Sequence, residues 1–146
     1  MMKQLTLAAL LAFPLAASAE ERSIEIEGGQ VSVPAGVTAQ VKTVTVGEDA
    51  TVVHLLLSLD TSQTSSVELA FTENPTLKWG EGQMLHMRQI VDNPNLTLEN
   101  GQTLEGDLIF PGVIPADVAE VELVFNPGND DSNIAGPGVT IPLALK

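Results

Sequence analysis

The chain has 146 residues, with six Lys or Arg against nineteen Asp or Glu, a net charge of −13, and no cysteine. Such acidity repels nucleic acid and anionic lipid, which excludes DNA, RNA and acidic membrane surfaces as partners. The absence of cysteine removes thiol catalysis, thiolate zinc sites and disulfide staples, so stability must come from packing alone.

Lys3, an apolar run over residues 5–15 and the triplet Ala17-Ser18-Ala19 predict a secretory signal peptide over residues 1–19, cleaved before Glu20. The apolar run is too short for a good membrane anchor, so no stable insertion is expected once it is removed. The bacterial style of the segment sends residues 20–146 to the periplasm or the exterior. Those residues suffice for one domain with its own core.

In chain order, residues 23–27 alternate Ile24 and Ile26 with polar neighbours, and residues 30–33 alternate again. Gly28-Gly29 between them predicts a small hairpin. Residues 37–46 are rich in Val and Thr, and the apolar phase changes between Val41 and Val44, which predicts a bulge. In residues 51–60, Val53, Leu55, Leu57 and Leu59 share one face while Val52, His54 and Leu56 share the other. Apolar residues on both faces predict a central strand covered on both sides, at least in part. Val67, Leu69 and Phe71 alternate next, residues 73–82 read as a long connection around Trp79, and residues 83–91 as another strand.

Residues 96–125 carry the clearest pattern. Leu104, Gly106, Leu108 and Phe110 fall on one face of an extended segment, with Thr103, Glu105 and Asp107 on the other. Ala119, Val121, Leu123 and Phe125 repeat the alternation, with Glu120 and Glu122 outward. Asn100-Gly101 predicts a tight turn before the first strand, and Pro111, Gly112 and Pro115 a crossing between the two. After a polar loop over residues 126–133, Val139, Ile141, Leu143 and Leu145 alternate in a last strand that Pro142 confines to an edge. The expectation is an all-β fold: an antiparallel β-sandwich of seven to nine strands.

Leu98, Gly101, Gly106, Leu108 and Phe110, followed by Pro115 and residues 123–125, follow an L-x-x-G-x-x-x-x-G-x-L-x-F strand, a proline-containing crossing and an apolar strand. Over these thirty or so residues the chain resembles a group of bacterial exported immunoglobulin-like domains of the DUF4352-like type. The resemblance implies an immunoglobulin-like sandwich and names no ligand.

Two clusters suit metals. Met84, His86 and Met87 offer thioether and imidazole ligands of the kind copper prefers, although on a strand Met84 and His86 share a face and Met87 points away. Asn129, Asp130, Asp131 and Asn133 concentrate oxygen donors suited to calcium, without the EF-hand order. No G-x-S-x-G, P-loop or dinucleotide fingerprint occurs, and neither His54 nor His86 has a Ser and Asp framework in the sequence. Glu105 with Asp107 and Glu120 with Glu122 read as solvated charge rows. The expected protein is therefore a cofactor-free, non-enzymatic module that meets a protein or envelope component through its strand edges or loops. A periplasmic copper- or calcium-binding protein is the alternative.

Overall fold

Two-residue alternation without any long amphipathic period builds sheets. In the computed structural model, which describes residues 21–146, eleven strands and no helix form three antiparallel sheets. In chain order these are β1 (Arg22–Glu25), β2 (Gln30–Ser32), β3 (Val37–Val46), β4 (Ala50–Leu59), β5 (Ser66–Glu68), β6 (Thr76–Trp79), β7 (Gln83–His86), β8 (Thr97–Glu99), β9 (Thr103–Pro111), β10 (Glu120–Phe125) and β11 (Val139–Ala144). The signal peptide expected over residues 1–19 lies outside the described residues.

The first sheet runs β1 and β2, then β3, β4 and β9; the second runs β11-β10-β6-β7; β5 and β8 form a small third. Core-facing residues of the first two meet between them. Leu55 pairs across to Val41 on one side and Gly106 on the other, and Leu123 to Ile141 and Leu77 in the opposite sheet. Phe110 and Phe125 are both fully buried. The β9–β10 crossing carries the chain from one sheet to the other, as its proline and glycine predict, with Ile114 buried on the way. The strand number exceeds the seven to nine expected because several strands are only three or four residues long.

The bulge expected near Val41 is present: the β3–β4 register shifts between Val41 and Thr43. The hairpin expected at Gly28-Gly29 is not. β1 and β2 each pair with β3, Ile24 opposite Val44 and Val31 opposite Ala39, so they are two pieces of one edge strand. The glycines form the kink that follows the β3 bulge, with the Ile26 N–H donating to the Lys42 carbonyl at 2.9 Å and the Val41 N–H to the Gly29 carbonyl at 2.7 Å. A kink and a turn carry the same glycine signal, and such short strands gain more from pairing with a ten-residue neighbour than with each other.

Other expectations need correction. β4 is central in its sheet, with Thr51, Val53, Leu55, Leu57 and Leu59 buried on one face, but Val52, His54 and Leu56 on the other are only half-buried. Residues 73–82 are not a plain connection. They contain β6, and Gly80 and Gly82, both at positive φ, turn it into β7. The strand expected over residues 83–91 ends at His86. The strand expected around residues 66–72 ends at Glu68, so Leu69 and Ala70 are both buried and Phe71 is 50% exposed. Asn100-Gly101 does turn the chain, with the Gln102 N–H donating to the Glu99 carbonyl at 2.9 Å, but it passes the chain from β8 into a different sheet. β11 is an edge strand, with Pro142 opposite Glu122.

Candidate functional site

β9 is the other edge of the first sheet. In an antiparallel pair alternate residues bond the neighbour, and those between them direct N–H and C=O away. Two observations fix the phase in β9. Pro111, which has no N–H, stands opposite Ala50, and the Ile109 carbonyl accepts from the Arg88 N–H at 2.7 Å on the far side. Hence Leu104, Gly106, Leu108 and Phe110 bond β4, while Thr103, Glu105 and Asp107 direct their backbone groups outward. The chain after β7 covers the outward side at Ile109. Over residues 103–107 no backbone partner covers it among the described residues, and Thr103, Glu105, Gly106 and Asp107 are exposed.

The side chains of Glu105 and Asp107 stand on the outer face and converge on His54. Asp107 is directly opposite His54 in register, and such non-bonded pairs bring side chains closest. His54 Nδ1 lies 2.7 Å from Asp107 Oδ1, and Nε2 lies 2.9 Å from Glu105 Oε2. With both ring nitrogens donating, the imidazolium is favoured. The hydrogen bond to Asp107 first, and that to Glu105 second, raise the His54 pKa above its ordinary 6.5. The clamp ties the open edge to β4.

This raised value has a definite sign. Stability from the clamp is fully present below pH 6.5, the unfolded value, and is lost as pH rises through the higher folded value. Titration of the His54 ring resonances by NMR should give a midpoint above 6.5, lowered more by Asp107→Asn than by Glu105→Gln. A wild-type midpoint at or below 6.5 would show the clamp absent in solution.

On the inner face, Gly106 leaves a gap opposite Leu55. Beneath it lies a cleft of about 190 Å³ lined mainly by Leu55, Leu57, Ile90, Leu96, Leu104 and Leu108. Asn93 also borders the cleft, but its amide is already occupied: its Nδ2 donates to the Thr97 carbonyl at 3.1 Å and its Oδ1 accepts the Thr97 N–H at 2.8 Å. Leu96 holds a φ of 49° while 4% exposed, a left-handed conformation that costs an L-residue roughly 1–2 kcal/mol.

The two metal-suited clusters are arranged differently. Met84 and His86 share the exposed outer face of β7, opposite Lys78 and Thr76, while Met87 is 3% exposed in the core with its N–H donating to the Pro75 carbonyl. The structure therefore brings together two of the three. In the loop after β10, Asn129 Nδ2 donates to the Gly136 carbonyl at 2.8 Å. Asp130 Oδ1 accepts the Ser132 N–H at 3.0 Å and its hydroxyl at 2.9 Å, the backbone bond leading in holding the carboxyl below its ordinary 3.8. Asn133 Oδ1 accepts the N–H groups of Ala135 and Gly136, at 2.9 and 3.0 Å. The side-chain oxygens of Asp130 and Asn133 thus fold the loop on itself, and Asp131 uses its backbone carbonyl to accept the Ala35 N–H. Among the described residues no three His, Cys, Asp or Glu side chains converge as a metal site.

The meeting of His54 with Glu105 and Asp107 has no signature in the sequence, because it depends on the β4–β9 register across some fifty residues. Gly106, a glycine within an apolar alternation, is the visible trace of the cleft. No family model, no curated protein and no solved structure matches this chain.

Proposed function

We propose that this protein is a non-enzymatic, exported binding module, in keeping with its resemblance to immunoglobulin-like exported domains, and that it holds a protein or envelope component along the open edge of β9. The observation that carries this reading is the run of backbone groups at Thr103, Glu105 and Asp107, over the first five residues of a nine-residue strand, that have no backbone partner on the outer side among the described residues. Sheets ordinarily blunt such edges, as Pro142 does in β11. In β9 the protection is electrostatic. Glu105 and Asp107 would oppose their like in a second copy, which disfavours self-pairing and leaves the edge open to a strand of other charge. His54 supports the edge rather than chemistry, since both of its ring nitrogens are held by carboxylates.

Glu105→Pro tests the reading. The Glu105 N–H points away from β4, so proline at this position leaves the β4 ladder intact and removes the central outward donor. Wild-type protein immobilised in envelope extract should enrich a partner that Glu105→Pro fails to retain. Equal enrichment by both, or none by the wild type, would refute the edge as the contact.

A further inference from the structure

Gly106 has no structural reason to be glycine. Gly28, Gly82, Gly101 and Gly128 also have open space where a Cβ would stand, but each has a positive φ, between 73° and 86°. Gly29, Gly112, Gly136 and Gly138 are closely approached by neighbouring atoms. Gly106 is neither: its φ lies outside the left-handed region and nothing stands within 4 Å of its missing Cβ. In a strand interior such a glycine is unfavourable, since it adds backbone entropy to the unfolded chain and packs nothing. What its absent side chain provides is the mouth of the apolar cleft, and the strained Leu96 forms part of that cleft's wall.

The open edge and the cleft are one site. A residue added opposite Gly106 would share its face, because paired residues on neighbouring strands point the same way. It would stand in the non-bonded position, where side chains approach most closely, and enter the cleft. The residues before and after it would lie on the outer face beside Glu105 and Asp107. Each of those carboxylates keeps one oxygen that His54 does not engage. At 190 Å³ the cleft is somewhat larger than a hollow of roughly 150 Å³ that accepts benzene, so it suits one leucine-sized group.

Resting on the edge-binding reading above, we infer that β9 recognises an extended peptide of basic–apolar–basic alternation, whose apolar side chain fills the cleft beneath Gly106 and whose flanking cations pair with Glu105 and Asp107. Backbone pairing supplies general affinity, and the cleft and carboxylates supply selection. A chain of net charge −13 also draws such a cationic strand towards it.

The test is an NMR titration of the intact mature protein with capped heptapeptides. GTKLKTG should bind saturably, with a Kd below about 1 mM, and shift the β9 amides together with the methyl groups of Leu55, Leu96 and Leu104. GTELETG and GTKAKTG should each bind at least about tenfold more weakly. Gly106→Val, which closes the cleft from within, should lower affinity for GTKLKTG to that of GTKAKTG, while its urea midpoint stays at or above that of the wild type. If all three peptides shift the β9 amides equally, or Gly106→Val binds GTKLKTG unchanged, selection by the cleft is refuted and edge pairing stands. If no peptide perturbs β9, both readings fall. Hexylammonium filling the cleft as tightly as GTKLKTG, without a change at the β9 amides, would assign the cleft to a small amphiphile and overturn the peptide.

Discussion

Replacing Asn126 with alanine should be among the most damaging single changes in this protein. Asn126 is fully buried at the end of β10, where its Oδ1 accepts the Phe71 N–H at 2.8 Å. Its Nδ2 donates to the Glu68 and Pro137 carbonyls, both at 2.9 Å. One side chain thus joins the end of β5, the start of the Phe71 turn and the approach to β11. Its φ of 49° is one that asparagine adopts more readily than alanine, for which it is strained. The lost bonds leave up to three groups without partners, at about 1–3 kcal/mol for each that stays dry, and with the strain we expect a loss of about 3–5 kcal/mol. This is a large share of the roughly 5–15 kcal/mol available to a domain. Urea unfolding measures it. Asn126→Gly, which accepts the same φ, should recover only about 1 kcal/mol of the deficit. A loss below about 1 kcal/mol for Asn126→Ala would mean that water replaces the side chain's bonds freely.

The second large effect belongs to Phe110. Phe110 is fully buried between the sheets, so Phe110→Ala should cost about 3–5 kcal/mol through lost transfer energy and the cavity left behind. Phe71→Ala, at a residue 50% exposed, should cost less than about 1 kcal/mol. Chemical denaturation of the two variants side by side decides the matter. Similar losses would show that Phe71 packs into the core in solution, contrary to the strand end at Glu68.

Those two phenylalanines show what the sequence reveals and where it stops. Both sit in alternating runs, and alternation alone predicts both as core. β9 follows the prediction because a ten-residue partner, β4, holds its period from end to end. The run around Phe71 does not, because β5 has only three residues and Asn126 captures the Phe71 N–H, which redirects the chain. That capture links residues 55 apart in sequence and leaves no local trace. The polar loop after β10 was legible as a loop but not in its purpose. Its asparagines and Asp130 serve the backbone around them, a role indistinguishable from metal ligation when only composition is in view.

The site divides in the same way. Gly106 stands out in the sequence as a glycine on an apolar face, and Glu105 with Asp107 as a polar row opposite it. Their joint meaning depends on which backbone groups of β9 point outward, and that follows only from the pairing with β4 and from the coverage that stops at Ile109. His54 gave no sign of its clamp for the same reason. The acidic balance read from composition is placed by the fold: Glu105 and Asp107 lie together along one strand edge, beside His54.

Amide hydrogen exchange along β9 in the free protein tests this most directly. An edge open over residues 103–107 requires protection to alternate: the Gly106 and Leu108 amides, bonded to β4, exchange slowly, while those of Glu105 and Asp107 exchange near the rate of an unstructured chain. Equal protection at all four positions would mean that the outer side of β9 is already covered, and the proposed binding edge would not exist.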